Sequence, residues 1–304
     1  MMMFTARNKG RLALGAVVVG AALALSGCAT GDPLDSGSSS GASETIVVGS
    51  QAYYSNEIIA EIYSQALENA GFTVERKFQI GQRDAYLPSL ESGEVDLFPE
   101  YTGNLLQFYS PDTTATTSDD VYAELQTALP ATLTVLDQAA ATDQDSYNVT
   151  ADFAATNNLK SLADLKNVTV PLTLGGNPEL AERPYGPAGL LATYGVTVGF
   201  TATGDTTVED LLAGTVNIAN VYSADPRIQT DNLVTLADPE GLFLASNVVP
   251  LVNKDVADQI ADVINAVQAK LTAEGLVALN VQSTVDQKSS AEIATQWLKD
   301  NGLI

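Results

Sequence analysis

Apolar residues along the chain from Thr45 onward fall into two alternating rhythms. "TIVVGS" is a short continuous apolar run of strand length. The next stretch, "SNEIIAEIYSQALENAG", repeats Ile58, Ile59, Ile62, Tyr63, Ala66 and Leu67 at the three- and four-residue spacing of one helix face. Ser55 or Asn56 is expected to cap that helix and Gly71 to end it. "FTVERKFQI" then alternates Phe72, Val74, Phe78 and Ile80 at strand period. "RDAYLPSLESG" predicts a helix interrupted at Pro88, and "EVDLF" predicts another strand. Strands and helices in this alternation imply an α/β unit on a largely parallel sheet.

A second α/β pass begins near residue 145. It contains the strand "NVTVPLTL", the helix "NPELAER", the segment "AGLLATYG", the helix "TTVEDLLAG" and the strand "TVNIANVY". After "NLVTLADPEGLFLASNVVPLV" the pattern turns wholly helical, in "DVADQIADVINAVQAKL", "AEGLVALNVQST" and "SSAEIATQWLKDNG". The apolar stripes on these three segments predict that they pack on the first unit.

The N-terminal segment has a different character. Basic "ARNKGR" precedes fourteen small and apolar residues, "LALGAVVVGAALAL", and then "LSGC" with the single cysteine, Cys28. Fourteen residues make about 21 Å of helix, short for a bilayer span but suited to a secretory signal. "LSGC" looks like a bacterial lipobox, which makes residues 1–27 a lipoprotein signal peptide and Cys28 the lipidated residue. Residues 28–43, rich in Gly and Ser, are expected to form a flexible tether, because such a composition buries too little apolar surface to order itself. The expected location is extracytoplasmic, anchored to the membrane through Cys28.

Charge narrows the partners. With 14 Lys+Arg against 37 Asp+Glu the net charge is −23, and loss of Arg7, Lys9 and Arg11 with the signal takes it to −26. Such a field argues against nucleic acid and anionic lipid. It fits solubility outside the cell, and it also fits attraction of a cationic ligand. The chain contains no histidine, which excludes a His-based triad or a His–metal site. Walker-type and GxGxxG motifs are absent too. No cofactor and no catalytic residue is implied; an envelope enzyme using a carboxylate pair is the weaker class.

Three segments, "IVVGSQAYYSNEIIAEIY", "GEVDLFPEYTG" and "NVYSADPRI", resemble in order the substrate-binding proteins of osmoprotectant ABC importers, the glycine betaine/choline-binding type. The resemblance covers about residues 45–300. It implies a two-lobed, type II periplasmic-binding-protein fold with a ligand cleft that closes by hinge motion. Lobe I is expected from residues 44–144 plus 247–304 and lobe II from 145–246. It implies as partners a small quaternary ammonium ligand and an ABC permease, for a monomeric protein. In the family the cation sits in a box of tyrosines, because a trimethylammonium has no N–H to donate and aromatic faces must hold it. The matching positions are Tyr101 in "PEYTG", Asp145 and Tyr147 in "QDSYN", and Tyr222 in "VYSADPRI". Arg183 in "ERPYGPAGL" falls where the family has an arginine facing the ligand's carboxylate.

Each position also has a plainer reading. Tyr101 can be an ordinary strand-end tyrosine, Arg183 a charge at a helix C-terminus, and Asp145 a turn cap. The chain also departs from the pattern. Gln51 stands where many relatives have lysine, Asn104 where threonine is common, and Ser246 where a fourth tyrosine usually lies. The resemblance therefore implies a cage of three rings open at Ser246, with Tyr53 or Tyr54 as a replacement wall. A bulkier cationic solute such as ergothioneine, or a ligand-sensing role, is the alternative to a small betaine.

Overall fold

The computed structural model describes residues 45–304. Cys28, the signal segment and the tether lie outside the described residues. The chain opens with β1 (Thr45–Gly49), α1 (Tyr54–Asn69), β2 (Thr73–Lys77), α2 (Arg83–Glu91) and β3 (Leu97–Tyr101). α3 (Thr102–Tyr109), α4 (Ser118–Ala128) and β4 (Leu133–Val135) follow. The second pass holds β5 (Asp145–Thr150), α5 (Ala151–Asn157), β6 (Thr173–Gly176), α6 (Pro187–Tyr194) and β7 (Gly199–Ala202). It continues through α7 (Thr207–Leu212), β8 (Ile218–Tyr222), α8 (Arg227–Thr230) and β9 (Leu233–Thr235). The chain then forms β10 (Val248–Asn253) and three helices, α9 (Lys254–Gln268), α10 (Ala273–Thr284) and α11 (Ser290–Asp300).

Ten strands make two five-stranded sheets of the same design, β2-β1-β3-β10-β4 and β7-β6-β8-β5-β9. In each, the first three strands are parallel and the fourth runs antiparallel to both its neighbours. That fourth strand is the one the chain enters after crossing from the other sheet: β5 after β4, and β10 after β9. The parallel core matches the alternation of apolar segments. The antiparallel strand does not show in periodicity, since strand direction is set by long-range pairing. The architecture is the expected α/β fold of two mixed, helix-covered sheets.

The two crossing segments run side by side. Thr142 and Asn247 form an antiparallel bridge, and the Val248 N–H donates to Ala141 O at 2.9 Å. The three C-terminal helices bury Val256, Ile260, Ile264, Leu276, Ile293 and Leu298 against Ile46, Val48 and the α1 stripe. Burying each such side chain is worth about 1.5–3 kcal/mol, so the helical tail belongs to the first sheet's core. A separate cluster around Leu162, Leu174, Leu190 and Ile218 forms the core of the second.

Local details depart from expectation. Neither Ser55 nor Asn56 caps α1; the N-cap is Tyr53, without a side-chain bond, and Asn56 Oδ1 instead accepts from the Gln51 N–H at 2.9 Å. Gly71 does lie just past α1, at φ +96°. Pro88 sits inside an unbroken α2; its missing N–H forfeits only a bond to the carbonyl of Asp84 in the first turn. Residues 178–182 form a 3₁₀ turn instead of an α-helix.

Candidate binding site

Both sheets point the carboxyl ends of their parallel strands, and the start of their antiparallel strand, at one cleft. Open α/β sheets bind ligands at this end. β1 delivers Gln51 and Tyr53, β3 delivers Tyr101 and, one turn into α3, Asn104; β6 delivers Asn177, and β8 delivers Tyr222. The register is matched on the two sides: Tyr101 pairs with Val248 at the start of β10, and Tyr222 pairs with Asp145 at the start of β5. The cleft encloses about 520 Å³ of space between its walls, part of it continuous with solvent. An adjoining space of about 1590 Å³, open to solvent, shares Tyr53, Gln82, Asn177, Asn220 and Tyr222 with it.

Four tyrosines line the inner cleft: Tyr53, Tyr101, Tyr185 and Tyr222. Tyr53 and Tyr222 reach it from opposite sheets, their ring centroids 5.0 Å apart and tilted at 52°. Asn56 Nδ2 donates to Tyr101 OH at 3.4 Å, and Asn177 Nδ2 to Tyr222 OH at 3.4 Å. Burial is the main cause that pushes all four hydroxyls' pKa values up, with nearby carboxylates adding to it, so the rings are neutral phenols.

A buried polar layer supports these walls. Arg83 is 7% exposed and makes a bidentate pair with the fully buried Glu100, Nε to Oε1 at 2.7 Å and Nη2 to Oε2 at 2.9 Å. Burial opposes the guanidinium's charge, but Glu100 outweighs it and the pKa moves up. Tyr86 OH also donates to Glu100, Gln51 Nε2 donates to Tyr86 OH at 3.2 Å, and the Tyr101 N–H donates to Glu100 Oε2 at 2.7 Å. The carboxylate that fixes Arg83 thus also fixes the peptide of a wall residue.

Two carboxylates face the cleft from the crossing segment. Asp145 accepts from Asn104 Nδ2 at 2.6 Å, and burial raises its pKa against that bond. Asp143 is 3% exposed. Its Oδ1 accepts from the Ala224 N–H at 2.9 Å, while Oδ2 has no partner. Burial, reinforced by Asp225 and Asp145, pushes its carboxyl up to about 7. Tyr53 OH lies near enough to ease that shift, yet no hydrogen bond of ordinary geometry joins the two.

Most of the residues singled out in the sequence meet here. Gln51, Tyr53, Tyr101, Asn104, Asp145, Arg183 and Tyr222 all line the cleft. Arg183 also reaches across it to Asp84, at 3.8 Å. Tyr147 does not line it: fully buried in the second core, its ring packs edge-on to Phe243 at 5.0 Å and its OH donates to Tyr185 O. A strand advances about 3.3 Å per residue, so two steps beyond Asp145 carry Tyr147 below the cleft floor. Ser246, 1% exposed, is not an open side either. Its Oγ accepts from the Gly103 N–H at 3.2 Å and donates to Asn104 Oδ1 at 2.7 Å, which aims the Asn104 amide at Asp145 and Tyr185. Gly103 permits this approach, since a Cβ there would stand 2.7 Å from Ala245 O.

Sequence reasoning missed Tyr185, Asp143 and Arg83. Tyr185 lies two residues past Arg183 in the same "ERPYGPAGL" segment, and Asp143 two before Asp145, on the same face of an extended chain. Both signals were present. Arg83 had none, because its role depends on Glu100, seventeen residues away.

Residues 44–300 match the family model described as the substrate binding domain of ABC-type glycine betaine transport system. The glycine betaine-binding protein YehZ of Escherichia coli (strain K12) is 29% identical over 280 residues, 86% of this chain and 92% of that protein. The apo YehZ structure superposes with a TM-score of 0.63 at 28% identity, covering 86% of this chain and all of that one. A structure described as a glycine betaine/carnitine/choline ABC transporter gives a TM-score of 0.70 at 18% identity, covering 85% and 99%, and shares the two-lobed fold. The chain belongs to the family of substrate-binding domains of ABC-type glycine betaine transport systems.

Proposed function

We propose that this protein captures a quaternary ammonium osmoprotectant, such as glycine betaine, choline or carnitine, in the tyrosine-walled cleft and delivers it to its ABC permease. The family's role is binding for transport, not catalysis. One observation carries the reading: Tyr53, Tyr101, Tyr185 and Tyr222 converge on a single cleft beside buried carboxylates. The cage then has four walls, with Tyr53 and Tyr185 in place of Tyr147 and the position of Ser246. Each cation–π contact contributes roughly 0.5–2 kcal/mol. For a ligand that carries a carboxylate, Arg183 is the cationic partner that lines the cleft, because Arg83 is committed to Glu100.

A bulkier trimethylammonium solute, ergothioneine among them, is the second reading. The adjoining space favours it, since a long substituent can leave the cage past Tyr53 and Tyr222. Lobe I comprises residues 44–144 and 247–304 and lobe II 145–246, hinged at the paired crossing segments. The protein acts as a monomer held to the membrane by lipid on Cys28. Calorimetric titration with choline, glycine betaine, carnitine and ergothioneine tests the ligand class; binding of none of them overturns it. Mass spectrometry of protein from the native membrane, finding residues 1–27 still attached, overturns the anchor.

A further inference from the structure

The charges around the cleft are unequally satisfied. Arg83 is neutralised by Glu100, Arg183 approaches Asp84, and Asp145 holds the Asn104 amide. Asp143 alone among the cleft's acidic residues is both buried and short of a partner on one oxygen that faces no lysine or arginine in an ion pair among the described residues. Glu179 also has an unpartnered oxygen, but it is only half-buried.

The position of Asp143 is central. Its charge bears on Tyr53, Tyr54, Tyr101 and Tyr222, the phenols reaching it from α1, β3 and β8. Asp145 faces it from β5, and Asp225 from the loop after β8, where Arg227 offsets part of Asp225's effect. Asp143 lines the same cleft as Tyr53, Tyr101 and Tyr222, so a cation held by those rings comes within reach of its unpartnered Oδ2.

Resting on the quaternary ammonium reading, we propose that Asp143 is the counter-ion of the bound cation and gives up a proton to solvent as the cation arrives. A buried carboxyl without a cation is more stable neutral, and one beside a cation is more stable ionised. With its carboxyl at about 7 in the empty cleft, Asp143 is half protonated at neutral pH. The sign follows by linkage: the ionised form binds the cation, so affinity rises with pH. Going from pH 6 to pH 8 raises the ionised fraction, and the affinity with it, about tenfold.

The test is calorimetry with choline chloride at pH 6, 7 and 8, in two buffers of different ionisation enthalpy. The wild type is expected to gain about tenfold in affinity across that range and to release about half a proton per ligand at pH 7. Asp143→Asn keeps an oxygen to accept from Ala224 but cannot ionise. It is expected to bind choline roughly 10- to 100-fold more weakly at pH 8, with a flat pH profile and no proton release. Asp225→Asn, outside the inner cleft, is expected to keep a pH-dependent affinity and proton release, displaced toward lower pH because Asp225 helps raise the Asp143 carboxyl. A wild-type profile flat between pH 6 and 8 with no proton exchange overturns the proposal and leaves the ligand class standing. An Asp143→Asn protein that keeps the slope overturns it as well. Failure of choline and every other quaternary ammonium to bind at any of the three pH values sinks the ligand class, and this proposal with it.

Discussion

Removing the charge of Asp143 is expected to move stability and affinity in opposite directions. The folded carboxyl sits at about 7 against a usual 3.8, so between about pH 4 and 7 the native state holds a proton that the unfolded chain has lost. Stability from this group is therefore full below about pH 4 and falls as pH climbs to 7. Asp143→Asn escapes that loss. Its thermal stability should match the wild type at pH 4 and exceed it at pH 8, by at most on the order of 4 kcal/mol; melts at the two pH values check this, and no gain at pH 8 refutes it. The tyrosines give a second residue-scale expectation. Tyr185→Ala removes a cleft wall and should weaken quaternary ammonium binding by about 2- to 30-fold. Tyr147→Phe leaves a core ring in place and should change affinity little in the same titration. The distinction was not legible in "QDSYN" or "ERPYGPAGL", because both tyrosines belong to the same cluster and only depth separates them. Tyr101 and Tyr222 were legible only through the resemblance carried by "PEYTG" and "VYSADPRI"; each stands at the end of a parallel strand, at the cleft.

At the scale of elements, β3 and α2 are joined by a buried charge. Glu100 takes both prongs of Arg83, the hydroxyl of Tyr86 and the peptide of Tyr101, so one side chain ties helix, strand and cleft wall together. Glu100→Gln leaves the guanidinium buried without its counter-charge, at a cost of about 3–5 kcal/mol. At 2–4 °C per kcal/mol for a chain of this size, the melting temperature should fall by about 6–20 °C. Replacing both partners with apolar residues, Arg83→Met with Glu100→Leu, should recover part of that loss, since the pair's desolvation is removed with it. A double variant no better than Glu100→Gln would show that the other bonds of Glu100, not the ion pair, hold the layer. The sequence could not disclose this tie: "GQRDAYL" and "FPEYTG" read as an ordinary helix start and strand end until the fold brings them together. The long stripes of α1, α9 and α11 were legible for the converse reason. Their period is local, and a single apolar face determines both the helix and what it covers.

For the whole molecule, the matched sheets imply a specific motion. Only the paired crossing segments link the two sheets through the chain, and one further tie lies at Ala224, after β8. Ala224 is buried in the first core, its N–H donates to Asp143 and its carbonyl accepts from Asn280 Nδ2 of α10 at 2.9 Å. Rotation of one sheet against the other about these ties is the expected hinge motion. Across the cleft itself the contacts are few: the rings of Tyr53 and Tyr222, Asn104 with Asp145 and Tyr185, and Arg183 with Asp84. So few contacts, each hydrogen bond worth only about 0.5–1.5 kcal/mol net, make a weak clasp, so the closed arrangement needs the ligand's own contacts with both sets of walls to dominate. The protein without ligand is therefore expected to sample a more open form, and a saturating quaternary ammonium should reduce its radius of gyration in small-angle scattering. Asn104→Ala should enlarge the ligand-free molecule further and weaken binding, because it removes the contacts of α3 with Asp145 and the Tyr185 hydroxyl while leaving every cage ring in place. Asn280→Ala attacks the tie at Ala224 instead; it leaves the buried Ala224 carbonyl unpaired, at about 1–3 kcal/mol, and should lower the melting temperature while the ligand-induced compaction survives. Scattering curves that superpose with and without saturating ligand, in a protein shown by calorimetry to bind it, would mean that the cleft accepts its solute without lobe closure.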